Sequence, residues 1–259
     1  MYILFSPSEG KQIPNTPKQQ CTLEFLFSTA RYKQEALRSY LQALQSGDDT
    51  LVCKILGTKH LELDSLTLSQ NLLQAPRLRA IELYNGVAYK ALDFGTLPLD
   101  SQEFILRSVL ICSNLFGFVR ASDLLPFYKL HQGAGFEDFS LKTLYAAQKH
   151  DMDTLITGHN VLDLRAEIYT KVYPLSIPHT QVVFLKNGKK LSHASKLYRG
   201  LYLRQLALTY PKASGVVSLT TSDSKFAKQL CSQIKIEDLE LRDITDNAHC
   251  RILTYEIKV

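Results

Sequence analysis

The chain has 259 residues, of which 45% are apolar and 21% charged, so it can bury a large core and is too apolar to be disordered over most of its length. Its 30 basic and 25 acidic residues give a net charge of +5 with histidine neutral. Because this excess is mild, the distribution of basic residues says more about an anionic partner than their total. The start of the chain does not resemble a signal peptide, and no apolar run approaches the roughly 18 residues that span a bilayer. We therefore expect a cytoplasmic protein with no membrane partner.

The cysteine and histidine spacings exclude several classes of site. The five cysteines include no C-x-x-C pair, which excludes a zinc ribbon and a thioredoxin-like motif. The seven histidines show no metal-ligand spacing, and no serine stands in a G-x-S-x-G context. We predict buried, reduced thiols, no metal, no cofactor and no catalytic triad.

The first half of the chain carries mostly helical patterns. Residues 2–6 are apolar and β-prone and end at Pro7, which predicts a short buried strand followed by a polar loop. Helical spacing then predicts helices over residues 23–44, 51–56, 61–73, 77–83, 102–112, 123–130 and 141–149.

The second half mixes strands with helices. Residues 161–165 predict a strand, followed by a short helix that ends near Tyr173. Residues 180–193 predict a β-hairpin, because Asn187-Gly188 supplies the positive φ angles of a type I′ turn. Further predicted elements are a helix over 195–210, a strand over 215–219, a helix over 223–233 and a strand over 251–258. This order predicts an α+β (mixed α/β) fold, a single domain over residues 1–259 in which helices flank a mixed sheet.

The most unusual segment runs from Lys186 to Arg204. It contains six basic residues and no acidic one: Lys186, Lys189, Lys190, Lys196, Arg199 and Arg204. On a helix, Lys196, Gly200 and Arg204 share one face, and the missing side chain of Gly200 allows close approach of a backbone or a phosphate. The segment therefore predicts an anion-binding surface, with a solvated helix face beside a basic hairpin as the alternative.

Two other segments are candidates for phosphate contacts. Between residues 112 and 130 we expect one helix to end near Asn114, a turn at Gly117 and a second helix capped by Ser122, with Arg120 and Lys129 adding charge; a plain helical hairpin is the alternative.

The loop after the first strand holds Ser8, Glu9 and Lys11, where α/β proteins commonly place ligand groups. It lacks the spacing of a P-loop, and an ordinary surface loop is the alternative. Asp163 and Arg165 are expected to form a structural ion pair.

Five segments in chain order share a resemblance. They are Ser6-Pro-Ser-Glu-Gly-Lys11, Tyr84-Asn-Gly-Val-Ala-Tyr-Lys-Ala-Leu92, Ser113-Asn-Leu-Phe-Gly-Phe-Val-Arg-Ala-Ser-Asp123 with Pro126-Phe-Tyr-Lys129, Leu162-Asp-Leu-Arg-Ala-Glu-Ile-Tyr169 and Ser192-His-Ala-Ser-Lys-Leu-Tyr-Arg-Gly200. Together they resemble the motifs of the YaaA family, the bacterial peroxide stress proteins.

The resemblance implies the family's own fold, with a helix-hairpin-helix element and a basic cleft that binds double-stranded, bent or branched DNA with little base specificity. It also implies protection against hydrogen peroxide by limiting free iron and oxidative damage. Gly117 would be the hairpin glycine, and Arg120, Lys129, Lys196 and Arg199 would contact phosphates. With the basic residues above, the predicted DNA- or anion-binding set is Lys11, Gly117, Arg120, Lys129, Lys189, Lys190, Lys196, Arg199 and Arg204.

A second hypothesis is an enzyme, or a binder of a small phosphorylated ligand, that uses the same residues. Glu9 would then act as acid or base, and Lys11 with the other cations would hold the anion. A third hypothesis, direct iron sequestration, has less support because the sequence lacks clustered ligands, and the acidic run 237–243 is expected to be a solvated face.

Overall fold

The computed structural model describes residues 1–14, 23–190, 192–214 and 229–258. Its strands are β1 (Tyr2–Phe5), β2 (Arg77–Arg79), β3 (Val109–Ser113), β4 (Gly117–Arg120), β5 (Leu124–Pro126), β6 (Gly135–Phe136), β7 (Phe139–Ser140), β8 (Val161–Leu164), β9 (His179–Lys186), β10 (Lys189–Lys190), β11 (Leu239–Asp246) and β12 (Cys250–Ile257). Its α-helices are α1 (Arg31–Leu44), α2 (Asp49–Leu56), α3 (Leu63–Gln70), α4 (Ala80–Leu83), α5 (Val87–Leu92), α6 (Leu99–Ser108), α7 (Leu141–Ala147), α8 (Lys149–Ile156), α9 (Glu167–Val172) and α10 (Ser192–Ser214).

A mixed sheet lies at the centre of the fold, in the order β11-β12-β9-β8-β1-β3-β4, and β10 pairs with the end of β9. The strands from β12 to β3 are parallel, whereas the outer pairs β11–β12 and β3–β4 are antiparallel. In β1, Ile3 pairs with Leu162 of β8 on one side and with Val109 of β3 on the other. The predicted mixed sheet flanked by helices is confirmed, while the extent of one domain over residues 1–259 stays a prediction.

The elements with the strongest local signals form where the sequence predicts them. β1 and β8 are apolar runs buried along almost their whole length, as expected for central parallel strands. Asn187 and Gly188 have φ angles of 53° and 71°, so the predicted hairpin between β9 and β10 is confirmed. The predicted helix over 195–210 lies inside α10.

The helix-hairpin-helix expected between residues 112 and 130 is wrong, because the structure has strands there. Residues 109–120 form the antiparallel pair β3–β4, in which Ser113 pairs with Gly117 across the turn. Every residue of β3 is buried, because β1 and β4 cover its two edges and helices pack on the sheet. A strand buried on both faces is a continuous apolar run, which periodicity cannot distinguish from a buried helix.

Other boundaries differ for related reasons. The segment 77–83 divides into β2 and α4, and 123–130 contains β5, which pairs with β2, in place of a helix. β11 was missed, because its exposed acidic residues fit a solvated face as well as an edge strand. The strand predicted at 215–219 and most of the helix predicted at 223–233 lie outside the described residues.

The buried apolar residues of the described chain form a continuous cluster rich in tyrosine and phenylalanine. Within the described ranges, no helix is long and apolar enough to cross a membrane.

Candidate anion-binding cleft

The strand order brings several chemically active segments to one edge of the sheet. β3 and β8 flank β1 and run parallel to it, so the residues after Phe5, Ser113 and Leu164 all emerge at the same edge. β9 is parallel to β8, so the hairpin after Lys186 emerges there too. β1 is therefore the point at which the strand order reverses, and α/β proteins bind ligands in the crevice outside the carboxyl ends of the strands at such a point.

The loop that follows β1 is pressed against the turn before α5. Backbone pairing links Lys11 to Tyr84, and Asn85 donates its N–H to the Gly10 carbonyl at 3.0 Å. A Cβ on Gly86 would lie 2.1 Å from the Ser8 hydroxyl, so a side chain at position 86 would push the two loops apart. A Cβ on Gly10 would likewise lie 2.5 Å from the Asn85 Oδ1, so Gly10 and Gly86, which belong to two resemblance motifs, allow the loops to approach this closely.

The Ser6 main chain and side chain tie this loop to two other elements. Tyr89 of α5 donates its hydroxyl to the Ser6 carbonyl at 2.8 Å, and the Ala166 N–H donates to the Ser6 Oγ at 2.7 Å. The first loop is thus fixed both to α5 and to the end of β8.

A cavity of about 260 Å³ opens between these loops and α10, and we call it the sheet-edge cleft. It is lined by Phe5, Ser6, Pro7, Ser8, Glu9, Gly10, Gly86, Val87, Ala88, Tyr89, Asn114, Gln132, Ala166, Tyr169, Lys196 and Arg199. Apolar and aromatic side chains cover much of it, and its lining includes two cations and one carboxylate.

Arg199 is the residue whose electrostatics most clearly indicate a ligand. Burial lowers the pKa of its guanidinium to about 10, and the nearby Asp163 charge offsets only part of this effect. Its Nε is buried and has no hydrogen-bond partner in the described part of the chain. Asp163 cannot neutralise Arg199 fully, because Asp163 already forms a close ion pair with Arg165. A cation that is removed from water and incompletely paired is stabilised by an added anion.

Lys196 and the β9–β10 hairpin extend the positive surface. Lys196 lies one turn before Arg199 on α10 and is exposed. Lys189 and Lys190 are exposed at the hairpin, and neither forms an ion pair within the described ranges. Close packing of α10 on α5 holds this surface in place, since a Cβ on Gly200 would lie 2.0 Å from the Ala88 carbonyl oxygen.

The predicted ion pair of Asp163 and Arg165 is present, and it is buried next to the cleft. Arg165 Nε and Nη2 donate to the two Asp163 carboxylate oxygens at 2.8 and 2.7 Å. Arg165 Nη1 donates to the carbonyls of Tyr169 and Tyr173, which fixes the segment after β8. Tyr169 in turn donates its hydroxyl to the Asn114 side chain at 2.8 Å, and both residues line the cleft.

Lys11 is not part of the cleft lining. Its ammonium donates to the Ser8 and Glu9 carbonyls at 3.2 and 3.4 Å and lies 4.2 Å from the centroid of the Tyr128 ring. Burial lowers the pKa of Lys11 to about 7, although the Glu9 carboxylate favours the charged form. Its contacts in the structure are thus with the loop backbone and an aromatic face.

Four other members of the predicted set lie away from the cleft lining. Gly117 is buried, with a φ of 64°, at the turn between β3 and β4. Arg120 lies at the far end of β4, beside Asp123. Arg204 donates to the Leu92 and Asp93 carbonyls at the end of α5. Lys129 pairs with Glu62 at 2.5 Å.

A second, more open cavity lies on the other side of Glu9. It has a volume of about 480 Å³, and Lys129 and Glu62 belong to its lining. Glu9 also lies 3.5 Å from the Nε2 of His131, whose Nδ1 accepts the Gly133 N–H. Among the described residues, no three histidine, cysteine, aspartate or glutamate side chains are grouped so that they could hold a metal ion.

Sequence reasoning missed Gln132, Asn114 and Tyr169 as parts of the cleft. Tyr169 stands inside a resemblance motif, so its position carried a signal, and Asn114 does too. Gln132 belongs to no motif, and only the three-dimensional structure places it in the cleft lining.

The chain is similar in sequence to one protein family and to proteins of several bacteria. A family model described as peroxide stress protein YaaA matches residues 1–223. An uncharacterized protein of Campylobacter jejuni is 34% identical over 255 residues, which cover 98% of this chain and 100% of that protein. A UPF0246 protein of Streptomyces coelicolor is 28% identical over 229 residues, which cover 85% of this chain and 87% of that protein. A UPF0246 protein of Corynebacterium glutamicum is 31% identical over 221 residues, which cover 82% and 87%.

Proposed function

We propose that the chain, which belongs to the peroxide stress protein YaaA family, acts by binding DNA. The family name supports a role in peroxide stress, and the positively charged cleft supports binding of a polyanion. A backbone phosphate would sit at Lys196 and Arg199 in the sheet-edge cleft, while Lys189 and Lys190 contact neighbouring phosphates. Because these are contacts with the backbone, binding would show little base preference. Any effect on free iron or oxidative damage would follow indirectly from the bound DNA, so the proposal needs no iron ligand.

The observation that carries this proposal is the incompletely paired Arg199. Its buried Nε lacks a hydrogen-bond partner among the described residues, and it shares the cleft lining with Lys196. A phosphate group would supply the negative charge that compensates this guanidinium. The predicted hairpin contacts at Gly117 and Arg120 are not needed.

The test is a salt titration of binding to a dye-labelled 20-bp duplex and to a dye-labelled branched DNA. Fluorescence anisotropy of the dye measures binding at each salt concentration. The double variant Lys196→Ala/Arg199→Ala should bind more weakly, and its plot of log K against log salt should be shallower by about 0.9, because one phosphate contact is lost. The matched control Lys54→Ala/Lys142→Ala removes two exposed lysines outside the cleft lining and should keep the slope. If the folded wild type binds neither DNA at low salt, the proposal is refuted.

A second candidate function, binding or conversion of a small phosphorylated compound, is favoured by one specific observation. The cleft lining includes Glu9 as well as the two cations, and its volume of about 260 Å³ lies near the lower limit of about 300 Å³ for small-molecule sites. This candidate predicts that thermal unfolding shifts upward with small phosphorylated compounds, whether or not DNA binds.

A further inference from the structure

The sheet-edge cleft is too small to admit a double helix. Its volume of about 260 Å³ lies just below the roughly 300 Å³ at which small-molecule sites begin. A double helix cannot enter such a space, since its major groove alone is about 12 Å wide. DNA that rests on Lys189, Lys190 and Lys196 would therefore leave the cleft unfilled unless a single nucleotide entered it.

The side chains of the cleft fit the two halves of a nucleotide. Phe5, Val87 and Ala166 provide apolar surface, and Tyr169 adds an aromatic ring, which together suit the faces of a heterocyclic base. The Gln132 amide has no side-chain hydrogen bond to any described residue, so its donor and acceptor are available to the edge of a base.

The phosphate of the same nucleotide would meet the cations of α10. Lys196 and Arg199 line the cleft together with the apolar side chains, so a group with a planar part and an anionic phosphate matches both surfaces. Proteins that extract a base from a duplex hold it in this way, between aromatic and apolar side chains and with polar groups at its edge.

We infer that the sheet-edge cleft binds a single nucleotide, with the base against Tyr169 and the apolar wall and the phosphate at Lys196 and Arg199. The phosphate half of this inference rests on the proposed function. The nucleotide can come from two sources with the same chemistry, a nucleotide turned out of a DNA strand or a free nucleoside monophosphate.

The first arm of the test uses a 20-bp duplex with 2-aminopurine opposite a mismatched base and a dye at one 5′ end. Anisotropy of the dye reports DNA binding, and 2-aminopurine fluorescence reports loss of stacking in the duplex. The second arm measures binding of deoxyadenosine monophosphate, deoxyadenosine and inorganic phosphate by titration calorimetry. The monophosphate should bind at least tenfold more tightly than either part alone.

The variant Ala166→Phe fills the cleft, and Gln132→Leu removes the free amide without filling it. The matched control Ala147→Phe adds the same bulk at an exposed position of α7 outside the lining. Circular dichroism and thermal unfolding identify variants that fail to fold. If Ala166→Phe does not fold, Gln132→Leu carries the test, with an expected loss of at least threefold in nucleotide affinity.

Each outcome decides a point. A rise in 2-aminopurine fluorescence that disappears in Ala166→Phe, while anisotropy still reports DNA binding, supports a nucleotide turned out of DNA. Binding of the monophosphate that is lost in the same variant, without any 2-aminopurine change, supports the free nucleotide. Absence of both responses in the wild type overturns this inference, and the anisotropy of the same samples shows separately whether the proposed DNA binding stands.

Discussion

Breaking the buried ion pair beneath the cleft should destabilise the whole fold. The side chains of Asp163 and Arg165 are only 3% and 1% exposed, and four hydrogen bonds of the Arg165 guanidinium end on Asp163, Tyr169 and Tyr173. In Arg165→Ala the Asp163 carboxylate is left buried without its cation. In Asp163→Asn the guanidinium keeps its charge and loses its partner.

The size of the effect follows from the burial of the pair. Removing one member of a fully buried ion pair costs about 3–5 kcal/mol, because the remaining charge stays out of water. Typical domains are stable by about 5–15 kcal/mol, so either single variant should lose a large part of its stability. The double variant Asp163→Asn/Arg165→Met leaves no unpaired charge at the pair itself, although Arg199 loses the nearby Asp163 charge, and it should recover part of the loss.

Urea unfolding at neutral pH, monitored by circular dichroism, measures the free energy of unfolding of each variant. The control is Lys171→Ala, which breaks the exposed pair of Lys171 with Glu167 on α9 and should not change the midpoint measurably. If Arg165→Ala and Asp163→Asn lose no more stability than Lys171→Ala, the assigned role of the buried pair is refuted.

Three further predictions test other parts of the structure. Gly117→Ala should cost about 1–3 kcal/mol in urea unfolding, because its φ is 64° and its Cβ would lie 2.4 Å from the Gln148 Oε1, while the folded variant keeps wild-type DNA affinity. Burial lowers the pKa of Lys33 to about 7, so the unfolded chain binds about half a proton more than the folded chain at pH 7 and about one more at pH 8.5. Stability should therefore rise with pH more steeply in the wild type than in Lys33→Met, by up to about 1.4 kcal/mol per pH unit. Equal slopes in urea unfolding at several pH values would contradict this. Arg204→Ala should weaken DNA binding in anisotropy titrations less than Lys196→Ala does, because Arg204 already donates to two carbonyls at the end of α5.

The parts of the fold that depend on local chemistry could be read from the sequence. Asn187-Gly188 specifies its own turn, and the apolar run of β1 ends where Pro7 stops it. β3 could not be assigned in this way, because strands on both sides bury it and remove the alternation that marks a strand. The sequence therefore predicted a helix where the sheet required a strand.

The candidate site could be predicted only in pieces. Glu9 and Arg199 each stand in a motif, yet 190 positions of chain separate them, and only the order of the parallel strands brings them to one cleft. Charge alone also does not show which cations are available to bind DNA. Lys129 and Arg204 look available in the sequence, but the structure pairs the first with Glu62 and uses the second to hold α5.

Hydrogen exchange of the protein with and without DNA, read by mass spectrometry, tests the central claim most directly, because it locates the bound surface without any substitution. We predict that DNA slows exchange in residues 6–11, 85–90 and 195–204, which surround the sheet-edge cleft. Slower exchange confined to residues 112–130, where the sequence had placed a helix-hairpin-helix, would contradict it.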